Sequence, residues 1–401
     1  MIEALALTCL GLLAYAYVGY AGLLWLLSKV MRARPRRAGT PTEWPRVSII
    51  VSAYNEEHVI GERLRNLRDL DYPPERLECL IGSDGSTDRT AAIVEASAGG
   101  AIHLVAFPER RGKASVLNDL VERARGDVLV LTDANTFFQP DAVRALVTAL
   151  WRHPTACAVV GRLELRSPTV AGNLDGTYWS YETWLKTLES HFGVVLGANG
   201  AIYAFHRERY RPIPADTIVD DFLIPMTMRL HGGGEVFFVP AARAWETSPA
   251  QVSHELRRRV RIGAGDFQAL AWTWRLLLPW HGMVAFSYFS HKVLRWLGPW
   301  LMLTGFAANL FLLGSPFFRW LFAAQLGFYG LGALAPAVRL VASAARYFIA
   351  LNAGLGLGSV RFVLGLQRPF WNTAPRSEPA SDRASTRPSE HSTASSRQDA
   401  A

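Results

Sequence analysis

The sequence predicts an α/β fold: a mostly parallel sheet covered by helices, with apolar helices at both ends of the chain. Two observations predict the sheet. Short apolar runs alternate with amphipathic helical patterns over residues 46–270, and polar clusters follow several of the apolar runs. Strands that alternate with helices are typical of βαβ units, whose strands run parallel. A third observation, a charge-free run at residues 4–27, predicts a helix outside this domain.

Residues 1–28 are predicted to form an N-terminal transmembrane helix, since the charge-free run is long enough to cross a bilayer. A secretory signal peptide is the alternative. The apolar run is too long for one, it follows only Glu3, and no small-residue cleavage site comes after it. The basic cluster at 29–37 opens a juxtamembrane linker, residues 29–45, and such clusters stay in the cytoplasm. We therefore expect an outside N-terminus and a cytoplasmic domain after the linker.

The domain at residues 46–270 is expected to begin with four strands and three helices. The apolar runs are short enough for strands, and the segments between them have helical periodicity. The predicted strands are 46–54, 77–86, 101–107 and 127–133, and the predicted helices are 56–70, 87–98 and 112–124. Because ligands of such sheets bind outside the carboxyl ends of the strands, the polar residues after each strand should converge on one site.

The character of the sequence changes after residue 270. Residues 271–296 set Trp, Arg and Lys among apolar residues, which is typical of helices that lie in the membrane interface. The tail at residues 373–401 is rich in Ser, Ala, Pro and Arg, so it is expected to be disordered.

Between these segments, residues 297–366 are predicted to form a membrane region with two to three spans. Residues 297–314 and 317–337 are apolar enough for two of them. The third stretch, 346–366, is interrupted by Asn352, several glycines and Arg361. It is expected either to span or to be re-entrant or interfacial.

The composition favours a membrane protein over a nucleic-acid-binding one. The chain has 401 residues, 50% of them hydrophobic, and a formal net charge of +8. Much of this charge lies at residues 29–37 and 255–261, and basic clusters beside membrane segments contact anionic lipid or fix topology. The sequence has no nucleic-acid motif, so no nucleic-acid partner is expected. Cys9, Cys79 and Cys157 lack the spacing of metal ligands and fit reduced thiols.

The end of the fourth strand, at residues 132–136, is the first candidate site. A carboxylate such as Asp133 is costly at the tip of a buried strand unless something satisfies it. One interpretation is an Asx-type turn, in which Asp133 and Asn135 bond backbone groups. The other is a divalent-cation site, since Mg²⁺ takes few ligands from protein. Asn135 would supply a neutral oxygen, so the affinity for the metal should be modest.

The ends of the first two strands carry a second set of candidates. Tyr54, after Ala53, offers an aromatic face on which a base can stack, and Glu56 can accept a hydrogen bond from a base edge. The alternative is a turn with a helix N-cap at Asn55. Asp84 lies at the exit of the second strand, where a carboxylate can accept a hydrogen bond from a ribose or base.

Two further motifs each have a structural and a functional interpretation. Lys113 lies in a basic loop that leads into a helix; it is either a solvated cation or a cation that stabilises a departing diphosphate. Asp220 and Asp221 precede an apolar run, where an acid can cap a helix. An acid at this place can also act as a general base on a hydroxyl, and the two roles are compatible.

Six motifs in this order resemble the membrane-bound family 2 glycosyltransferases, the group that includes cellulose, chitin and hyaluronan synthases and many exopolysaccharide enzymes. The motifs are VSIIVSAYNEE, GSDGSTDRT, RRGKASVLN, TDANT, GANGAIYAFHRE and VDDFLIP. The resemblance covers roughly residues 46–300 and implies that residues 46–270 are a catalytic domain of the GT-A type.

The resemblance also implies roles for particular residues. The final acid of its Glu-Asp motif is the base, which falls at Asp221, and its metal-binding Asp-x-Asp falls at Asp133 and Asn135, so Mg²⁺ or Mn²⁺ is the implied cofactor. The implied nucleotide-sugar contacts are Ala53, Tyr54, Glu56, Asp84, Lys113, Asp133, Arg258 and Arg261. The implied acceptor side is Gly197, Asn199 and Asp220.

Residues 257–265 align with the family's Gln-x-x-Arg-Trp. Arg258 falls at the Gln, Arg261 at the Arg and Ile262 at the Trp. Arg261 is expected to bind the diphosphate, and the alternative is a basic helix at the membrane surface. Isoleucine lacks the aromatic face that stacks on an acceptor sugar, which argues against long-chain processivity.

The resemblance implies an inverting transferase that moves a hexose from a nucleotide-diphosphate sugar, expected to be a UDP-sugar. The acceptor would be a growing polysaccharide or a polyprenyl-linked lipid at the cytoplasmic face of the inner (plasma) membrane, in a multi-pass protein. Membrane lipid and polysaccharide-export proteins are the other expected partners. The alternative from another class is a non-catalytic membrane scaffold or nucleotide-sugar-binding module that keeps the fold.

Overall fold

The computed structural model describes residues 1–166, 172–247, 252–333 and 339–367. One eight-stranded sheet forms its centre. The strands are β1 Val47–Ala53, β2 Leu77–Asp84, β3 Ile102–Phe107, β4 Val128–Asp133, β5 Phe137–Phe138, β6 Ala156–Arg166, β7 Tyr203–His206 and β8 Glu235–Thr247.

Eleven labelled helices are found in the described residues, together with shorter helical elements, three of which run on from one another over residues 283–296. The long ones are α1 Ile2–Val30, α2 Glu57–Arg68, α3 Thr90–Ala96, α4 Lys113–Arg123, α5 Ala142–Arg152, α6 Gly172–His191, α7 Asp220–Gly232, α8 Val252–Thr273, α9 Gly298–Leu310, α10 Pro316–Ala333 and α11 Arg339–Val363. The short turns are Pro74–Arg76, Arg207–Arg209, Trp274–Leu277, Pro279–His281, Met283–Ser287, Tyr288–Val293 and Leu294–Trp296.

The sheet has the order β3-β2-β1-β4-β7-β6-β8-β5. The strands β1 to β4 are parallel, and β7 pairs antiparallel with both β4 and β6. In β1, Ile49, Ile50 and Val51 are fully buried, as expected for a strand covered on both faces. The expected α/β fold with a mostly parallel sheet is confirmed. Its parallel half directs the ends of β1, β2 and β4 to one edge.

Two hydrophobic cores cover the two faces of the sheet. One face packs against α2 and α5, through residues such as Leu64 and Leu146. The other packs against α4 and α7, through residues such as Leu120 and Phe222. The helices α4 and α7 thus lie on the same face of the sheet. Both begin beside the edge at which the parallel strands end.

The N-terminal helix α1 is the single helix in the described ranges that is long and apolar enough to cross a membrane. It contains a π-helical turn at Tyr15–Gly19. After this turn, Tyr20 and Leu24 are buried against α6, so the second half of α1 packs on the sheet domain. The expected transmembrane segment at 1–28 is thus one continuous helix, of which only the first half lies away from that domain.

The C-terminal helices overlap the spans expected from the sequence. The candidates at 297–314 and 317–337 contain α9, of 13 residues, and α10, of 18 residues, and residues 334–338 lie outside the described part. The stretch at 346–366 belongs to α11, whose Gly354 and Gly358 pack closely on α8. The tail at 373–401 also lies outside the described residues.

Candidate active site

The ends of β1 and β2 are tied together by side chains of both corners. Asn55 has a positive φ of 53°, and its amide oxygen accepts the backbone N–H of Thr87 at 2.9 Å. Glu56 is buried, and its N–H donates to Thr90 Oγ1 at 2.8 Å. The helix α2 is capped at Glu56 without a side-chain hydrogen bond, so Asn55 does not have the expected capping role. Ala53, at the end of β1, is buried opposite Ser83.

The basic loop before α4 lies across these two corners. The centre of the Arg110 guanidinium lies 3.8 Å from the ring centroid of Tyr54, so one face of Tyr54 is covered. A nucleobase would therefore stack on the other face of Tyr54, or on the guanidinium of Arg110 itself. The buried carboxylate of Asp84 accepts the backbone N–H groups of Arg111 at 2.6 Å and Gly112 at 2.9 Å. Asp84 thereby fixes the loop that leads to Lys113.

Lys113 bridges two acids at the centre of the edge. Its ammonium lies 2.7 Å from Asp133 Oδ1 and 3.0 Å from Asp220 Oδ2. Burial lowers the pKa of this ammonium, but the charges of Asp133 and Asp220 outweigh burial and raise it overall. Lys113 is therefore a permanent cation, and the interpretation as a solvated basic turn does not describe it.

The corner after β4 differs from an Asx turn. Thr136 donates its N–H to the backbone carbonyl of Asp133 at 3.3 Å, which closes the turn. The Asp133 side chain contacts Lys113 instead of backbone N–H groups, and among the described residues the Asn135 amide makes no hydrogen bond. Arg63, fully buried beneath the corner, donates to Thr132 Oγ1 at 3.2 Å.

Asp221 lies at the start of α7 and faces Asp133 across a glycine. A Cβ built on Gly200, which has a φ of 65°, would lie 3.0 Å from Asp133 Oδ2 and 3.5 Å from Asp221 Oδ2. Burial first, and then the charges of Asp220 and Asp133, raise the pKa of Asp221 to about 6. Asp221 Oδ1 also accepts the N–H of Phe222 at 3.0 Å, so it satisfies one free N–H of the helix start. A raised pKa suits a proton acceptor at neutral pH.

Part of the chain matches a known protein family. Residues 48–207 match the family described as Glycosyl transferase family 2. The chain carries a family 2 glycosyltransferase domain. It is 30% identical over 243 residues to the "Probable glycosyltransferase YdaM" of Bacillus subtilis (strain 168), with 56% of this chain and 56% of that protein covered. It is 25% identical over 230 residues to the "Poly-beta-1,6-N-acetyl-D-glucosamine synthase" of Staphylococcus epidermidis, with 56% and 55% covered.

A solved structure resembles the glycosyltransferase domain together with the flanking helices. It is the mannosyltransferase PcManGT from Pyrobaculum calidifontis, in complex with GDP-Man and Mn²⁺. The TM-score is 0.72 and the identity 25%, and the match covers 92% of this chain and 100% of that one. By contrast, the chain spans little more than half the length of the curated relatives it matches. The expected GT-A fold is confirmed.

The loop before β7 holds Gly197 and Asn199, two of the residues predicted to lie on the acceptor side. Gly197 has a φ of 73°, and a Cβ there would lie 2.6 Å from a ring carbon of Phe222. Asn199 donates to the carbonyl of Gly161 at 3.2 Å, and its amide oxygen accepts the N–H of Ile202 at 3.4 Å. Both groups of the Asn199 amide thus hold the loop. Its expected contact with a sugar hydroxyl stays a prediction.

On α8, the basic residues separate by face. Arg261 is partly buried and donates to the carbonyl of Ile218 at 3.0 Å. Burial lowers its pKa, and Asp220 and Asp221 oppose that shift, so the guanidinium lies near the acids. Arg258 is exposed, one turn earlier. Ile262 packs against the core. The alternative of a basic helix that lies only at the membrane surface therefore does not describe Arg261.

Several residues around the glycosyltransferase site were not among the sequence candidates. Gly200 separates the two acids, and Arg63 supports the corner from below. Lys186 is another such residue, since the charges of Lys292 and Asp221 both act on its pKa. Helical periodicity cannot reveal such positions, because they converge from distant elements. The scarcity of lysine, four residues at positions 29, 113, 186 and 292, was a signal in the sequence that could have found them.

Proposed function

We propose that the protein is an inverting glycosyltransferase that moves a hexose from a nucleotide-diphosphate sugar to a polysaccharide or lipid-linked acceptor. The observation that carries this proposal is the convergence of Lys113, Asp133, Asp220 and Asp221 at the sheet edge of a family 2 domain. The four side chains come from three separate segments of the chain. A scaffold without activity would not require two acids to be held apart across a glycine.

The chemistry needs a cation for the leaving group and a base for the acceptor. Lys113 and Arg261 supply positive charge where the departing diphosphate gains negative charge as its bond to the sugar breaks. Asp221 accepts the proton of the acceptor hydroxyl, which attacks the anomeric carbon from the side opposite the diphosphate. Asp220, paired with Lys113 at 3.0 Å, holds that ammonium toward the donor side.

The oxygens at the corner after β4 fit a divalent ion that arrives with the diphosphate. Asp133 Oδ2 faces the Gly200 backbone, and Asn135 offers an amide oxygen. Within the described residues, no group of three or more His, Cys, Asp and Glu side chains forms a metal cage. Two protein oxygens suit Mg²⁺ or Mn²⁺ that keeps water and phosphate ligands. Asp133 and Asn135 would hold the ion, which supplies Lewis-acid stabilisation of the leaving diphosphate when bound.

The location we propose is the cytoplasmic face of the inner membrane. The apolar helix α1 supports it, as do large side chains on the C-terminal helices that are exposed, such as Phe311 at 76% and Trp320 at 79%. Such an apolar surface is typical of a membrane contact. The basic linker before β1 would lie at the anionic lipid headgroups.

The test is a panel of radiolabelled nucleotide-sugars incubated with the purified protein and native membranes, with analysis of product size and free nucleotide. The panel includes UDP-sugars, as expected, and GDP-Man, because the similar solved structure holds that donor. We expect one donor to give labelled glycan or lipid together with free nucleoside diphosphate. Donor binding without transfer to any acceptor would overturn the proposal, and a ladder of long polymer would overturn the argument against processivity.

A further inference from the structure

Lysine is rare in this chain, and its lysines are not scattered. Only four of the 42 basic residues are lysine. Lys113 contacts Asp133 and Asp220, Lys29 lies in the last turn of α1, and the remaining two are Lys186 and Lys292. Arginine supplies almost all the other basic side chains of this chain. A lysine differs from arginine because it presents a compact point charge that suits phosphate.

Lys186 faces the segment that carries Lys292. On α6, Glu182, Lys186 and Glu189 are spaced i, i+4 and i+7, so they share one face. The two glutamates bind that segment directly. Glu189 Oε1 lies 2.6 Å from His291 Nδ1, and Glu182 Oε1 lies 2.5 Å from Arg295 Nη1. Lys186, between the two glutamates, therefore points into the same contact.

Lys292 lies beside the turn that carries Asp221. Tyr288, Lys292 and Trp296 are spaced by four residues, about one helical turn. The rings of Tyr288 and Trp296 lie 5.9 Å and 5.5 Å from the ring of Phe222, the residue after Asp221. Lys292, between these two rings along the segment, is thus next to the start of α7.

The two lysines have no direct polar partner. Among the described residues neither makes a hydrogen bond or an ion pair within 4.0 Å, and both are only partly exposed. Burial, and next the charge of Lys292, lower the pKa of Lys186, and the charges of Glu182, Glu189 and Asp221 oppose that shift. Asp266 is the nearby acid on α8, and its pKa is raised to about 8 by burial despite Lys292. Two like charges held together in a partly buried place favour the binding of an anion.

We propose that Lys186 and Lys292 bind a phosphate or diphosphate group of the acceptor and so place an acceptor hydroxyl beside Asp221. This inference rests on the proposed function and names the acceptor class. The hydroxyl oxygen forms the new bond to the anomeric carbon, and its proton passes to Asp221. The bond from that carbon to the donor diphosphate breaks, and the electron pair leaves with the diphosphate. The phosphate on the acceptor stays intact.

A lipid is the source that the surroundings favour. Phe289 and Trp184, beside the two lysines in sequence, are exposed at 47% and 43%. Aromatic side chains of this kind are typical of the membrane interface. A water-soluble sugar phosphate offers the same phosphate, so the experiment separates the two sources.

The experiment compares three acceptors with the active labelled donor: a sugar linked to polyprenyl diphosphate, the same sugar as a neutral alkyl glycoside, and its soluble 1-phosphate. For the parent, we expect a KM for the diphosphate-linked sugar at least about tenfold below that of the alkyl glycoside. A preference for the polyprenyl form over the soluble 1-phosphate identifies lipid as the source, and equal use identifies the free sugar phosphate.

The variants Lys186→Met and Lys292→Met keep the apolar stem and remove the charge. Each should raise the KM for the phosphorylated acceptors about tenfold or more, with the KM for the donor and for the alkyl glycoside unchanged. Lys186→Arg and Lys292→Arg should restore most of the loss. Lys29→Met is the matched control and should change nothing.

The inference is overturned if the methionine variants affect neutral and phosphorylated acceptors alike, or neither. Donor hydrolysis without acceptor reports whether a variant has kept its fold. If sugar transfer occurs but ignores both lysines, only this inference fails. If no acceptor in native membranes receives sugar, the proposed function fails and the inference fails with it.

Discussion

Replacing Asp221 with asparagine separates the two roles of this side chain, proton acceptor and partner of the helix start. The asparagine oxygen can still accept the N–H of Phe222, which Asp221 Oδ1 accepts at 3.0 Å. The variant cannot take a proton from a hydroxyl. We therefore expect Asp221→Asn to lose about 10²- to 10⁴-fold in kcat, the usual contribution of a general base. The KM for the donor should change little.

The raised pKa of Asp221 sets the pH dependence of the parent. With a pKa of about 6, the carboxylate is mostly ionised at pH 7 and mostly protonated at pH 5. Because a base must be ionised to act, kcat should fall about tenfold between these two pH values. The fall should follow a single ionisation, and the residual activity of Asp221→Asn should lack it.

The effect on stability has the opposite sign. The pKa of Asp221 is higher in the folded state than its ordinary 3.8, so folding favours the protonated form. Its contribution to stability is complete below about pH 4 and is lost as the pH rises through about 6. At pH 8, asparagine removes an ionised carboxylate that burial and two neighbouring acids disfavour. The free energy of unfolding should then rise by on the order of 1–3 kcal/mol.

The assay measures initial rates of labelled sugar transfer from pH 5 to pH 8, with unfolding temperatures in the same detergent. Asp216→Asn, exposed in the preceding loop, is the control and should change neither quantity. If Asp221→Asn keeps the parental kcat at pH 7, Asp221 is not the base. If the variant loses activity and is also less stable at pH 8, the electrostatic argument is wrong.

Three further predictions concern the donor side of the site. EDTA should abolish transfer, and Mn²⁺ should restore it. Asn135→Asp should lower the half-saturating Mn²⁺ concentration, because a second carboxylate binds the ion more strongly. Unchanged turnover in EDTA would disprove the metal site. Lys113→Met should reduce kcat by about tenfold or more. It should also leave Asp133 and Asp220 with uncompensated charge, which measurements of unfolding against pH would detect. A variant with the parental kcat would exclude a role of Lys113 on the diphosphate. Gly200→Ala should cost about 1 kcal/mol or more of stability and most of the activity. The φ of 65° disfavours alanine, and the added methyl group would lie 3.0 Å from Asp133 Oδ2. An active, equally stable variant would show that the acids are not held apart as described.

The sequence predicted the parallel half of the fold well. The runs that end at Ala53, Asp84 and Asp133 are mainly apolar and short, so period and length favour buried strands. Their shared direction then places the three ends at one edge. The motifs at those ends lie in contact because topology brings them together, which is why their convergence could be predicted from the sequence.

The packing of the apolar helices could not be predicted, because hydropathy reports composition and not packing. Tyr20 and Leu24 look like lipid-facing residues in the sequence, yet they are buried against α6. Similarly, Gly354 and Gly358 looked like interruptions of a span, and they are the positions at which α11 approaches α8 closely. The pairing of Glu189 with His291, over 100 residues apart in sequence, has no local signal.

The measurement that tests the central claim most directly is the anomeric configuration of the product made from the active donor, determined by NMR. Inverting transfer with Asp221 as base predicts the configuration opposite to that of the donor, together with stoichiometric release of the nucleoside diphosphate. A product that retains the configuration of the donor would contradict the roles proposed for Asp221, for Lys113 and for the two acids that Lys113 contacts.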